Sequence, residues 1–475
     1  MLAKVRLSLV FLTVITLCCV LLTGRWLPDI KSADARRRRL AIHVPEADSL
    51  DNVLWLDMKR DRSNLTAPRR DEMTSLRPSQ KTATRVEWKQ LQQLLEARCN
   101  TPAPQLLSNN EGLLFKKGYE LAVVQVLTRH GDRAPLKGIP LTNIASFRCP
   151  NADEYFSNID VKWMNKCDRG RLTWKGCRQH EALGRHLKTV YHLDPDEIDS
   201  RIMVTSTDYQ RTTQSAKCLL NGLLGHDRYP PIVKSRGTLF YNPKFGFVPN
   251  CPSLDMIWKQ IRFQPEFLRA HTTWIDAKIK MQNFLSYSKR KVKSHQGAIE
   301  FYEGLVCHYC HLYDSGLSNS ITPCVRNKCI SPSLGKQTIK AADMFTRLQN
   351  NKKTALLQIQ PFIAQIVSNF RNWIDGYKRY QFFFYSGHDT TVTAVLSALN
   401  AFDGHRPPYS SRIVFELWKS TTSDEHMVRT LYNGQVIGSN VISELMNFHL
   451  FERNLTIGSL RSRDSHTRGC LGLFN

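Results

Sequence analysis

Acidic side chains are scarce in this chain. Among 475 residues, 41 Asp and Glu face 66 Lys and Arg, which leaves a formal charge of +25. That deficit points to an anionic partner, whether nucleic acid, an anionic glycan or a phosphorylated substrate, unless it serves solubility alone. Internal repeats and low-complexity tracts are absent, which excludes a solenoid or a blade array. Long apolar runs are nearly absent too, which excludes a multi-span membrane protein. The one uncharged run of 18 residues is 7–24, LSLVFLTVITLCCVLLTG, behind Lys4 and Arg6. Its length is near the lower limit for a spanning helix. A small-x-small cleavage site is missing around Leu21–Arg25, so a signal anchor is expected rather than a cleaved signal peptide. An even cysteine count is also lacking: thirteen are present, Cys18 and Cys19 fall in the apolar run, and one of the remaining eleven must stay free or pair between chains.

These features imply a domain order. A cytosolic tail (1–6) precedes the signal anchor (7–24), a polar stem (25–85) and a lumenal domain (86–475). Basic residues after the anchor, from Arg25 to the Arg36–Arg39 run, oppose this type II orientation by the positive-inside rule. The cysteines and two sequons, at Asn64 and Asn454, favour it, because disulfides and N-glycans belong to the secretory lumen. A lumenal domain does not meet nucleic acid, so no nucleic-acid partner is expected. The Arg36–Arg39 run also offers a cleavage site that would release a soluble form.

Within the folded part, helical spacing begins at 86–97. Short apolar runs at 121–127, 201–207 and 380–386 read as strands, each followed by a segment of helical period at 172–191, 209–224 and 390–400. Thr173 is positioned as the N-cap of the first of these helices. Strands are expected again at 412–418 and 427–434, the second ending in the Asn433-Gly434 turn signal. This alternation predicts an α/β fold. The stretch from about 230 to 350 is mostly helical in period and rich in cysteine, as an inserted cap would be. QFFFY (381–385) reads as sheet core, and Trp163, Trp174 and Trp258 read as core residues rather than sugar-stacking platforms.

Chemistry gathers where three strands run into helices. The first junction carries Arg129, His130 and Arg133 in VVQVLTRHGDRAP (123–135), the second Arg211, and the third His388 and Asp389 in YSGHDTT. Open α/β sheets bind ligands beyond the carboxyl ends of their strands. Three guanidiniums converging there would repel one another unless an anion sat among them, and their forks match phosphate oxygens. A neutral His130 can attack phosphorus and Asp389 can protonate the leaving oxygen. No cofactor and no metal are required, because the arginines supply the positive charge.

RHGDRAP with a distant HD resembles the signature of histidine acid phosphatases, a branch of the histidine phosphatase superfamily. LTWKGCRQHEALGRHL and STDYQRTTQSA are similar to two further segments of that branch, in the same order, so that the resemblance covers roughly 90–435. It implies a three-layer α/β sandwich with a mixed central sheet and a smaller, mainly helical cap. It implies His130 as the phosphorylated nucleophile, Asp389 as proton donor, and Arg129, Arg133, Arg211 and His388 as phosphate ligands. Two finer segments, LVCHYCHLYDSGLSNSITPCVRNKC and RIVFELWKSTTSDEHMVRTLYNG, resemble Golgi members of the branch that dephosphorylate xylose in the glycosaminoglycan–protein linkage region. That resemblance implies a phosphorylated xylose substrate, a Golgi membrane location and a linkage-region glycosyltransferase as partner. The alternatives are a broad acid or lysophosphatidate phosphatase, or an inactive glycan-binding relative. Cys307, Cys310, Cys324 and Cys329 with His308 and His311 also resemble a zinc site. An oxidising lumen favours disulfides instead. After Gly434 the chain departs from the branch's pattern.

Overall fold

The computed structural model describes residues 83–100, 110–113, 117–136, 147–149, 167–225, 230–235, 251–285, 296–325 and 328–455. The tail, the anchor, the stem as far as residue 82, the sequon at Asn64, and Trp163 lie outside the described residues. Among the described residues no helix is long and apolar enough to cross a membrane.

Helix α1 (Arg85–Cys99) opens the domain, and a capping box between Thr84 and Glu87 holds its first turn. Strand β1 (Tyr119–Arg129) follows, then helix α2 (Trp174–Val190), strand β2 (Ile202–Thr207), helix α3 (Gln210–Leu224) and edge strand β3 (Ile232–Ser235). As expected from sequence, Thr173 caps α2, its hydroxyl accepting from Gly176 N–H. The expected helical segment from about 230 therefore opens with a strand of the main sheet. From Pro252 onward it is mainly helical: α4 (Pro252–Ile261), α5 (Pro265–Leu285), α6 (Gln296–Cys307), a π-helical turn (His308–Tyr313) and α7 (Pro332–Gln349), with Cys324–Val325 paired to Lys328–Cys329 in a small antiparallel ladder before α7. The chain returns through α8 (Lys352–Ile374), β4 (Phe382–Gly387) and α9 (Asp389–Ala398). It ends in β5 (Arg412–Ser420), β6 (His426–Tyr432), β7 (Gln435–Val436), β8 (Met446–Asn447) and α10 (Phe448–Leu455).

The sheet runs β8-β6-β5-β1-β4-β2-β3, with β7 on β6. Pairings β1–β4, β4–β2 and β2–β3 are parallel, whereas β1–β5, β5–β6 and β6–β8 are antiparallel. Helices cover both faces, so the fold is a three-layer sandwich around a mixed sheet. Alternation on β4 shows why: Phe383 and Tyr385 enter one core with Ile359, Phe362 and Val395 of α8 and α9, while Phe382 and Phe384 enter the other with Leu183 and Leu219 of α2 and α3. QFFFY is sheet core, as its composition suggests. A third core joins α1, α5, α6 and α7 around the buried Trp274, Phe301 and Phe345.

The turn after β6 has Asn433 and Gly434 at φ +49° and +81°, the left-handed pair of a tight hairpin. Two other glycines matter through space rather than through φ. A Cβ on Gly131 would lie 2.3 Å from Gly176 O, and a Cβ on Gly176 would lie 2.2 Å from Asp132 O. The loop after β1 and the first turn of α2 thus touch backbone to backbone. Gly176→Ala is expected to cost about 1–3 kcal/mol, read from a shifted midpoint in denaturant unfolding.

Candidate active site

The parallel register aligns the ends of three strands. Arg129 pairs with Gly387 across β1–β4, and Ser206 pairs with Ser386 across β2–β4. The side chains just beyond those ends share one space, at the carboxyl edge where α/β sheets bind ligands.

His130 leaves β1 with its N–H on Gly387 O at 3.0 Å and its carbonyl accepting from Ser410 N–H at 3.1 Å. Its Nδ1 lies 2.8 Å from Gly131 O. A carbonyl only accepts, so Nδ1 carries the proton and Nε2 keeps the lone pair in the neutral ring. Burial, then the charges of Arg211, Arg129 and Arg133, hold its pKa well below the usual histidine value. The imidazole is therefore neutral. Arg129 stacks over Tyr409 at 4.2 Å and donates to Pro407 O at 2.6 Å. Arg133, buried, meets Glu303 of α6 at 3.1 Å.

Arg211, in the first turn of α3, lies over Tyr209 at 4.6 Å and donates to Nδ1 of His388 at 3.3 Å. Burial first, and Arg133 next, lower its pKa to about 10, although its guanidinium remains charged at neutral pH. His388 Nδ1 accepts, so its Nε2 carries the proton toward Thr207 Oγ1 at 3.0 Å. The rings of His130 and His388 meet edge to face, 5.7 Å between centroids. The Nε atoms of Arg129, Arg133 and Arg211 are buried without a hydrogen-bond partner, an arrangement that costs free energy until an acceptor arrives.

Asp389 begins α9. Burial alone would raise its pKa, but Arg406 and then Arg129 outweigh that and hold the carboxyl far below the usual range. The Arg406 guanidinium is 2.6 Å from Asp389 Oδ2 and 3.9 Å from Glu303 Oε1. All six residues expected from sequence are brought together. Arg406 and Glu303 were missed, as was Tyr409. Arg406 comes from the loop before β5 and Glu303 from a helix of the third core. Neither belongs to a strand–helix junction, and no spacing in the sequence marks them.

The cysteines are disulfides: Cys99–Cys310, Cys149–Cys167, Cys177–Cys218 and Cys324–Cys329, with Cys251 also bonded. Cys177–Cys218 ties α2 to α3. Cys307 is the free thiol among the described residues, buried 3.1 Å from Tyr409 Oη. The zinc alternative fails at its ligands, since three of the four cysteines are oxidised and His311 is held by Asp132 at 2.7 Å. Asn454 of the second sequon is half-buried, and its Nδ2 donates to Val441 O at 2.8 Å.

Among the described residues, the close carboxylates of the guanidiniums around the buried, neutral His130 are Glu303 and Asp389, and such a ring of positive charge suits a phosphate-like anion. Residues 120–250 and 282–433 match the model of the histidine phosphatase superfamily, branch 2, and the chain belongs to that family. It is a phosphatase of the histidine acid phosphatase type. Human 2-phosphoxylose phosphatase 1 is 26% identical over 66% of this chain and 71% of its own length. The Xenopus tropicalis protein of that name is 28% identical over 71% and 72%. Rat lysosomal acid phosphatase is 26% identical over 63% and 67%. Among solved structures, the phytase from Citrobacter braakii superimposes with a TM-score of 0.51, covering 73% of this chain and 99% of that one at 13% identity. The Bifidobacterium longum multiple inositol polyphosphate phosphatase reaches 0.52, covering 77% and 96% at 13% identity. These two share the fold.

Proposed function

We propose that the chain hydrolyses a phosphomonoester through phosphohistidine, and that its substrate is the 2-phosphate of xylose in the glycosaminoglycan–protein linkage region. The neutral His130 with its lone pair on Nε2 inside the arginine ring carries the mechanistic reading. Nε2 attacks phosphorus in line, the bond from phosphorus to the sugar oxygen breaks, and Asp389 gives that oxygen its proton. Arg129, Arg133, Arg211 and His388 hold the non-bridging oxygens, where charge is greatest in the transition state. Water then attacks the phosphohistidine, Asp389 takes the water's proton, and inorganic phosphate leaves.

Asp389 is ionised in the free protein, because Arg406 and Arg129 overcome the burial that would protonate it. An arriving phosphate dianion competes for those guanidiniums and raises the carboxyl's pKa. The protonated fraction therefore grows as pH falls. His130, its own pKa held well below the usual value, stays neutral over the same range. Turnover is expected to rise as pH drops from about 8 to about 5. Arg406→Gln should move the falling limb of kcat toward neutral pH, since the largest charge depressing Asp389 is gone. A rate flat over that range in the unaltered protein would remove Asp389 from the role of acid.

The similarity to 2-phosphoxylose phosphatases supports the xylose substrate, as does the net charge of +25, which suits a nascent acidic glycan chain. On this reading the domain works in the Golgi lumen, held by the 7–24 anchor and beside a linkage-region glycosyltransferase. The similarity to lysosomal acid phosphatase favours a broader second reading. A panel of phosphoxylosyl linkage oligosaccharide, phosphotyrosine, lysophosphatidate and inositol phosphates separates the two. Selective release from the oligosaccharide is expected, with kcat/KM at least about tenfold above the rest. Equal rates would leave the broad enzyme.

A further inference from the structure

A cavity of about 660 Å³ opens beside α2, and none of the catalytic side chains described above lines it. Its volume falls in the range of small-molecule sites. Trp174, Arg178 and Arg185 line it from one face of α2, with Gln179 beside them and His311 opposite. Trp174 is half-buried rather than a core residue, which corrects its reading from sequence. Arg178 and Arg185 are exposed, and among the described residues neither has a carboxylate partner. Lys175, also in the lining, is already tied to Asp314.

His311 is the informative wall. It is 4% exposed, stacked on Phe147 at 4.5 Å between centroids, and its Nδ1 is 2.7 Å from Asp132 Oδ2. A carboxylate only accepts, so Nδ1 carries the proton. Nε2 is left buried with no partner. The Cys99–Cys310 bridge fastens this wall to Asn100 on the rim, so the cavity is preformed.

We propose that this cavity is a second binding site, for an acidic oligosaccharide carrying a uronate carboxylate. Each part of that chemistry has a counterpart in the lining. The Trp174 side chain in the lining can pack on a sugar ring, Nε2 of His311 can pair with a hydroxyl, which both donates and accepts, and the guanidiniums take the carboxylate. Arg178 and Arg185 are seven residues apart on the helix, about 10 Å along its axis. That spacing suits a ligand of more than one sugar unit better than an isolated phosphate ion.

The site also meets the catalytic loop. Gln179 Oε1 accepts from Asp132 N–H at 2.8 Å, and His311 holds the Asp132 carboxylate. Asp132 lies two residues after His130, so an occupant resting on Gln179 and His311 presses on the loop that carries the nucleophile. This second site does not depend on the identity of the phosphorylated substrate.

Calorimetric titration of the full chain with hyaluronan tetrasaccharide, a glucuronate-bearing probe without phosphate, tests the proposal. One-to-one binding is expected, absent for neutral chitotetraose, weakened by added salt, and at least about tenfold weaker in Arg178→Glu/Arg185→Glu, whose positions are exposed. No binding by the unaltered protein, or equal binding by the double variant, would overturn it. Inositol hexakisphosphate binding more tightly than the tetrasaccharide, with that affinity lost in the double variant, would reassign the site to phosphorylated polyols. Because the probe has no phosphate, a failed titration leaves the phosphatase reading untouched.

Discussion

His130→Ala is expected to lower kcat by at least about ten-thousandfold on any phosphomonoester, with no residual pH optimum. The effect comes from one atom. Nε2 is the unprotonated nitrogen of a buried, neutral ring, held in place by its own loop carbonyl and by Gly387 and Ser410. Alanine removes the nucleophile and leaves Arg129, Arg133 and Arg211 in position, so inorganic phosphate should still bind. Loss of phosphate release with phosphate binding intact therefore separates a missing nucleophile from a collapsed pocket. It also separates an enzyme from an inactive glycan-binding relative, for which the substitution would change nothing measurable. Retained turnover would place the chemistry elsewhere.

The second large effect depends on the leaving group. Asp389→Asn is expected to lower kcat about a hundred- to ten-thousandfold on a sugar phosphate. An alkoxide is too basic to leave without a proton. A nitrophenolate leaves readily, so nitrophenyl phosphate should lose far less. Equal losses on both substrates would mean that Asp389 positions Arg406 rather than donating a proton. The distinction matters because the two side chains are 2.6 Å apart, and the substitution also frees a buried guanidinium.

Much of this architecture was legible because local signals agreed with the global fold. The runs at 201–207 and 380–386 are short and rich in β-branched or aromatic residues, and each meets a helical period within a few residues. Those features fix a strand followed by a crossover, and parallel pairing then brings the ends of β1, β2 and β4 together. The six site residues follow from that geometry. Arg406 and Glu303 did not, because their proximity to Asp389 and Arg133 is purely tertiary. One rides a proline-rich loop, the other a helix whose apolar face packs against α1 and α7. Cysteine pairing was equally hidden: Cys99 and Cys310 are 211 positions apart, and no spacing rule connects them. Trp174 shows the opposite failure. A tryptophan at the start of an amphipathic helix reads as core, and only the packed structure shows the open cavity beside it.

The atom that becomes phosphorylated decides the mechanism. Rapid quenching during turnover into alkali, where phosphohistidine survives, followed by mass spectrometry of the peptides, measures this directly. Phosphate on His130 and on no other residue is the expected result. Phosphate on another side chain, or product release with no enzyme-bound phosphate at any quench time, would contradict it.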